Sequence, residues 1–323
     1  MTPNENTGRK KRITVITPVY MEEASLSIYA NAVEEILFVN TEYDIQVLFV
    51  DDGSRDRSWK IIEELCNRNS RFKGLRLSRN FGPHIALCAG FEAADGDAIA
   101  TLACDLQDPP ETILKFLEKW KEGANIVWGR RLSRKDGILR SIATHVFMRI
   151  LRAYAMPADS QFSTGSFFLI DQKIKDCLIR FQEQNRITFA LVAWTGFNQS
   201  VVEYYRAERK AGRSGWTLTK LLKAMYDTFL GFSTIPLRVM KLISMFAFIL
   251  ASALTLLVCY WYWKGVKVEG WTSTMLTISI FFSLQFFIMS VVGEYLYRIY
   301  IEVVRRPLYL ISPKTGQWPD EKH

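Results

Sequence analysis

Apolar positions in the first half of the chain follow two alternating rhythms. A short β-branched run at 13–19 (ITVITPV) and a second apolar run at 45–50 (IQVLFV) read as buried strands, and 72–77, 98–102 and 125–128 read as further strands. Between them, segments 22–39, 58–69, 83–94 and 110–122 repeat apolar residues every three or four positions and read as helices. This alternation, with short connections, predicts an α/β domain on a parallel sheet covered on both faces. Ligands of such sheets bind at the carboxyl ends of the strands. The loops richest in carboxylates, 18–22, 51–54 and 105–108, fall there. Farther along, 137–155 reads as a helix and 201–205 as a strand. Residues 218–232 read as an amphipathic helix, with Leu218, Leu221, Leu222, Met225 and Phe229 opposed to Lys220, Lys223 and Asp227.

From Leu242 the pattern changes. Residues 242–263 and 270–293 contain no Asp, Glu, Lys, Arg or His. A helix needs roughly 20 apolar residues to cross a hydrocarbon core, and helices of soluble cores rarely run that long without charge. Two transmembrane helices are expected, with Trp261, Trp263 and Trp271 as interfacial aromatics. Only 264–269 (KGVKVE) joins them, so they should form a tight hairpin. Lys220, Lys223, Arg238 and Lys241 precede the first span, and Arg298, Arg305, Arg306 and Lys314 follow the second; the turn carries Lys264 and Lys267. The positive-inside rule then places the large domain and the tail in the cytoplasm. The expected division is a domain over 1–216, an interfacial segment over 217–236 that lies on the membrane surface, a hairpin over 237–304 and a cytoplasmic tail over 305–323. The polar residues 1–12 run straight into a strand, so no secretory signal is expected before it.

The formal net charge of +8 would suit nucleic acid, but basic residues beside two membrane spans account for it as contact with a lipid surface. No nucleic-acid partner is expected. The five cysteines, Cys66, Cys88, Cys104, Cys177 and Cys259, show no metal-ligand spacing and read as reduced packing residues. His84 reads as structural.

Carboxylates at strand ends suit ribose hydroxyls and a divalent metal, which takes oxygen ligands and bridges phosphates. Asp51, Asp52 and Asp105 are placed for this, although an Asp after a strand equally caps a turn or a helix. The segments TPVYMEE (17–23), DDGSRDRS (51–58), LSRNFG (77–82) and DLQDPPE (105–111) occur in an order and spacing that resemble inverting family 2 glycosyltransferases of the GT-A (Rossmann-like) fold. The polyprenyl-phosphate branch, which includes dolichol-phosphate mannose synthase and bactoprenol glucosyltransferases, is the nearest in pattern. The string GEYLYRIYIEVVRRPLYLI (293–311) resembles the bactoprenol-type subgroup, so the resemblance runs from about Ile13 to Ile311.

The resemblance implies a nucleoside pocket lined by Pro18, Tyr20 and Glu22, with Asp51 and Asp52 contacting base and ribose. It implies a Mg2+ or Mn2+ ion at Asp105 and Gln107. Arg131 and Arg134, in the segment GRRLSRKD (129–136), would face the phosphates of donor or lipid, where an arginine fork gives bidentate contact. Three positions depart from the family pattern. Ala103 replaces the first Asp of D-x-D. Ser166 replaces the Asp of G-D-F-R, for which Asp159 is a substitute candidate. Gly215 replaces a Lys, with Arg209 and Arg213 flanking it as candidates for the lipid phosphate.

The activity implied is transfer of a hexose from a nucleotide sugar, UDP-linked by the likeness of the tail, to a polyprenyl phosphate such as undecaprenyl phosphate. An ionised lipid phosphate can attack the anomeric carbon without strong base help, in a single displacement with inversion. The expected location is the cytoplasmic (inner) membrane, multi-pass, as a homo-oligomer among membrane lipids. Two other readings remain: a processive polysaccharide synthase, opposed by only two spans, and a weakened homologue serving as a membrane scaffold or flippase partner, opposed by the retained acidic and arginine residues.

Overall fold

The computed structural model describes residues 9–132, 166–181, 183–184, 186–205, 235–265 and 270–318. The chain divides into two compact units, Met1–Met225 with Pro307–His323, and Tyr226–Arg306.

The first unit is built on strands β1 (Arg12–Val19), β2 (Asp44–Asp51), β3 (Phe72–Leu77), β4 (Ala98–Thr101), β5 (Ile126–Arg131), β6 (Phe168–Asp171), β7 (Gln199–Tyr204) and β8 (Ile311–Thr315). They form one sheet in the order β7-β5-β6-β4-β1-β2-β3-β8. Helices α1 (Glu23–Ile36), α2 (Ser58–Arg68), α3 (Pro83–Ala93), α4 (Glu111–Lys121), α5 (Gln172–Arg180) and α6 (Thr188–Trp194) belong to the same unit. The strands fully buried on both faces, such as β2, explain why their sequences are apolar throughout instead of alternating. Tyr29, Phe49 and Phe72 pack at centroid separations of 5.8 and 5.5 Å, and burying each side chain contributes about 1.5–3 kcal/mol. Gly90 lets α3 approach β1, since a Cβ there would lie 2.5 Å from Ile16 Cγ2.

The sheet is mixed, which corrects the expectation of a parallel one. Strands β4, β1, β2 and β3 are parallel, but β6 runs antiparallel between β4 and β5, and β8 runs antiparallel on β3. Neither antiparallel strand carries the long apolar run that reveals a buried strand in sequence: β6 has four residues, and β8 reads ISPKT, with Pro313 and Lys314 suiting an edge. The expected tail over 305–323 is therefore partly a sheet strand. Because β6 and β8 are antiparallel, their amino ends lie on the same sheet edge as the carboxyl ends of β1 to β5 and β7. The reversal of strand order between β1 and β4 sits on that edge too, the usual place for a ligand crevice.

The second unit contains α7 (Ile235–Trp263) and α8 (Trp271–Val304). Segments Leu242–Trp261 and Leu276–Val304 are long and apolar enough to cross a membrane, with mean hydropathies of 2.5 and 2.0 and no buried share. Helix α8 runs past the expected end at 293 because Glu294 and Arg298 pair one turn apart at 3.0 Å, within the helix. It ends at Arg305, whose φ of 49° is left-handed. The helices expected over 137–155 and 218–232 lie outside the described residues.

Candidate active site

The loops at the carboxyl edge of the sheet hold one another by side-chain-to-backbone bonds. After β1 the chain turns through Met21, left-handed at φ 55°. The Met21 and Glu22 amides donate to Ser54 Oγ and Ser58 Oγ, each at 3.0 Å. The 18–22 loop is thus laid against the 51–58 loop, with Pro18 and Glu22 half-buried and Tyr20 exposed (44%). Glu22 also precedes α1 and accepts from Ser25 Oγ at 2.9 Å.

Asp51 closes β2 and is fully buried. Its Oδ1 accepts from the Ser54 amide at 3.1 Å. Its Oδ2 lies 3.1 Å from Arg76 Nε on β3, yet no hydrogen bond is aligned on that oxygen among the described residues. Burial raises the Asp51 carboxyl above the ordinary range, outweighing Ser54 and Arg76, which pull it down. A buried acceptor that leaves one oxygen without a hydrogen bond is suited to a donor N–H or O–H from a ligand. Asp52 is used differently. Its two oxygens accept from the amides of Phe81 and Gly82, at 2.7 and 2.8 Å. It therefore anchors the β3–α3 loop on this edge and keeps only the remaining lone pairs for a ligand. Burial raises its carboxyl as well, against those two amides. Gly53 between Ser54 and Asp52 is left-handed (φ 69°), and a Cβ there would lie 2.5 Å from the Arg79 carbonyl carbon. Only glycine permits that approach.

Beyond β4, Leu106 is left-handed at φ 53° while its side chain is buried in the core. Non-glycine residues in this region cost on the order of 1–3 kcal/mol and gather at functional sites; Met21 and Leu106 both lie in loops of this edge. The turn at Leu106 brings the Gln107 amide onto Asp105 Oδ1, at 3.2 Å. Asp105 is 8% exposed. Ala103 supplies no oxygen here, and no group of three or more His, Cys, Asp or Glu among the described residues could hold a metal ion. Asp105 and Gln107 do not form an all-protein cage. They fit a hard divalent cation that arrives with a diphosphate, since such ions often use one or two carboxylates plus phosphate and water.

Arg131 ends β5 on the same edge. Its Nε donates to Tyr204 Oη at 3.2 Å and lies 3.8 Å from Asp108 Oδ1. The Tyr204 hydroxyl in turn donates to Asp108 Oδ1 at 2.6 Å. Desolvation opposes the Arg131 charge, but Asp108, Tyr204 and Asp105 prevail and raise its pKa, so it stays cationic. Burial, then the charge of Asp108, raises the Tyr204 phenol and keeps it a donor. Thr101 Oγ1 at the end of β4 bonds the Ser166 carbonyl and accepts from the Phe168 amide at 3.2 Å, so the exposed Ser166 joins the same edge.

Of the residues singled out in the sequence, Pro18, Tyr20, Glu22, Asp51, Asp52, Asp105, Gln107 and Arg131 all stand on this edge. Arg134, Asp159, Arg209 and Arg213 lie outside the described residues. Arg76 and Tyr204 carry no motif, and only the strand pairing reveals them. Asp108 sits inside DLQDPPE, where its neighbours drew the attention. His84 is a half-buried imidazole, its pKa lowered to about 4 by desolvation, against Phe189 at 5.2 Å. Cys66, Cys88 and Cys104 are buried and form no disulfide, as expected of packing residues.

Comparison with known proteins matches residues 14–179 to "Glycosyl transferase family 2". An uncharacterized glycosyltransferase of Bacillus subtilis, YkcC, is 37% identical over 315 residues, 96% of this chain and 96% of its own. The SfII prophage-derived bactoprenol glucosyl transferase of Shigella flexneri is 33% identical over 309 residues, 93% of this chain and 97% of its own. Among solved structures, the mannosyltransferase of Pyrobaculum calidifontis in complex with GDP-Man and Mn2+ aligns at a TM-score of 0.45 and 15% identity, over 69% and 70% of the two chains. With its family pattern continuous from the first strand to beyond the DLQDPPE loop, and full-length relatives above 30% identity, the chain belongs to glycosyl transferase family 2 and is a glycosyltransferase.

Proposed function

We propose that the chain transfers a hexose from a UDP-sugar to a polyprenyl phosphate such as undecaprenyl phosphate, with inversion, at the cytoplasmic face of a membrane that α7 and α8 cross. The observation that carries this reading is a family 2 domain continuous with two helices of spanning length, an architecture shared along 93% of the chain with a bactoprenol glucosyl transferase. A lipid-linked acceptor explains why the transferase needs an anchor, because the attacking phosphate is confined to the bilayer surface.

In this reading Asp51 takes a donor N–H or O–H of the nucleoside on its Oδ2, beside Pro18, Tyr20 and Glu22. Asp52 holds the pocket wall and adds a ribose contact with its spare lone pairs. Asp105 and Gln107 hold Mg2+ or Mn2+, whose contribution when bound is to neutralise the departing diphosphate. Arg131, held cationic, faces phosphate charge in a partly desolvated site, where such stabilisation is largest. Arg134, Arg209 and Arg213 are proposed for the lipid phosphate, and Asp159 as an auxiliary base. The chain is proposed to act as a homo-oligomer, and a monodisperse monomer in nanodiscs would refute that part.

The test is transfer of radiolabelled sugar from UDP-, GDP- and CDP-sugars to undecaprenyl phosphate by the purified full chain with Mg2+, Mn2+ or EDTA. Label in the lipid phase from a UDP-sugar is expected. Product of retained anomeric configuration would sink the single displacement, and no transfer from any donor would sink the enzymatic reading of this pocket.

A further inference from the structure

The segment after α8 does more than leave the second unit. Three residues past Val304, at Pro307, the chain re-enters the first unit and pairs as β8 along β3, with Leu77 opposite Ile311, Leu75 opposite Lys314 and Gly74 opposite Thr315. It is gripped at both ends. At the carboxyl edge, the Ser78 amide donates to the Leu310 carbonyl at 2.9 Å, and the Tyr309 hydroxyl donates to Glu92 on α3. At the other end, Gly316 is left-handed (φ 92°), and a Cβ there would lie 2.9 Å from the Phe72 carbonyl oxygen. Gly74 on β3 is matched to this contact, since a Cβ would lie 2.6 Å from Thr315 Cγ2. Trp318 donates to the Thr315 carbonyl at 3.0 Å, with Lys314 and Lys73 over its ring at 5.1 and 5.8 Å.

What β8 touches matters for the site. Ser78 begins the β3–α3 loop, which carries Arg79, the backbone that Gly53 packs against, and the Phe81 and Gly82 amides that hold Asp52. Leu310 binds the start of this loop at Ser78, and Tyr309 binds Glu92 near the carboxyl end of α3, the helix into which the loop runs. Arg76, between Leu75 and Leu77 where the β3–β8 register shifts, reaches across to Asp51 and the Ser54 carbonyl, at 3.1 and 2.8 Å. The loop is therefore held on one side by the 51–54 segment and on the other by 309–311.

We infer that residues 309–316 act as a positioning strap for the nucleotide pocket: the stretch that follows the second spanning helix fixes the β3–α3 loop and, through it, the carboxylates of Asp51 and Asp52. Along the chain only four residues, Arg305 to Leu308, separate the strap from α8. The effect on affinity rests on the donor reading above; the bracing of the loop does not.

The experiment compares the full chain with Tyr309→Phe, Gly316→Val and the double variant, which release the strap at one or both ends. Amide hydrogen exchange is read at Phe81 and Gly82, with the Asp97 amide, bonded to the Arg12 carbonyl at the opposite sheet edge at 2.7 Å, as internal control. Affinity for UDP, with GDP beside it, is measured by calorimetry. Exchange at Phe81 and Gly82 should rise about tenfold in the double variant while Asp97 is unchanged, as for a local opening and not a global one. UDP affinity should fall about tenfold, with the donor KM raised more than kcat is lowered. Unchanged exchange at Phe81 and Gly82, or an equal rise at Asp97, overturns the strap. Raised exchange with undiminished UDP affinity overturns its role in positioning the pocket. If the wild-type chain binds neither nucleotide, the donor reading falls and the affinity claim with it, while raised exchange at the two amides still upholds the bracing. Should the double variant not fold, Tyr309→Phe alone, which removes one hydroxyl, must show the same pattern at smaller amplitude.

Discussion

Replacing Tyr204 with Phe isolates what holds Arg131 in place. The ring is kept, and with it the edge-on contact with Phe167 at 5.3 Å; only the hydroxyl goes. That hydroxyl donates to the buried carboxylate of Asp108 at 2.6 Å and accepts from Arg131 Nε at 3.2 Å. A hydrogen bond to a charged group contributes about 1.5–3 kcal/mol. Arg131 already lies 3.8 Å from Asp108 and can close that gap, so the lower end, about 1.5 kcal/mol, is expected for the fold. The same closing re-aims the guanidinium relative to the phosphate proposed to bind on this edge. If Arg131 stabilises the departing diphosphate, a loss of that size in the transition state lowers kcat/KM about tenfold, carried by kcat more than by donor KM. Label transfer to undecaprenyl phosphate, with a thermal melt of the same preparation, reads both quantities. Arg131→Lys, which keeps the charge and loses the fork, should be more damaging still. A Tyr204→Phe enzyme with kcat/KM within about twofold of wild type but a lowered melt would refute the argument, leaving Tyr204 as packing only.

Three further outcomes follow from the same geometry. The raised Asp51 carboxyl means that the folded state binds its proton more readily than the unfolded chain does, so its ionisation costs stability as pH rises from 3.8 through the higher folded-state value; Asp51→Asn should therefore melt no lower than wild type at neutral pH while losing UDP affinity in calorimetry, and a clearly lower melt would contradict the burial argument. Gly53→Ala meets both a left-handed φ and the Arg79 backbone at 2.5 Å, costing about 1–3 kcal/mol; the donor KM should rise, and an unchanged KM would show that the 51–54 and 79–82 loops move freely. Chelation by EDTA and Asp105→Ala should each abolish label transfer, and transfer that persists in EDTA would remove the metal from the proposal.

Much of this architecture is legible along the chain. The buried strands at 13–19 and 45–50, the helices between them and the two uncharged stretches after Leu242 are statements about local apolar periodicity, and that periodicity is what the packed elements obey. The acidic loops were legible for the same reason: a parallel α/β order puts every strand's carboxyl end on one edge, so Asp51, Asp52 and Asp105 had to share it. Strands β6 and β8 were not legible. They are four and five residues long, and their place depends on partners far away in sequence, which so short a window does not reveal.

The division of labour between neighbouring carboxylates likewise belongs to the tertiary structure. Asp51 and Asp52 are equivalent as letters, but Asp52 meets two loop amides and Asp51 keeps an oxygen with no aligned donor among the described residues. Arg131 was marked by its motif, whereas Tyr204, which orients it, is set by the pairing of β5 with β7, residue 131 opposite 204. The sequence alone determined the elements, the membrane-type segments and the edge on which the chemistry sits, because these depend on short-range pattern and chain order. Which oxygens stay open, which arginine is held, and that a stretch read as a tail becomes the strand beside β3 were decided only when distant segments met, because a hydrogen bond depends on distance and angle, and neither is written in spacing.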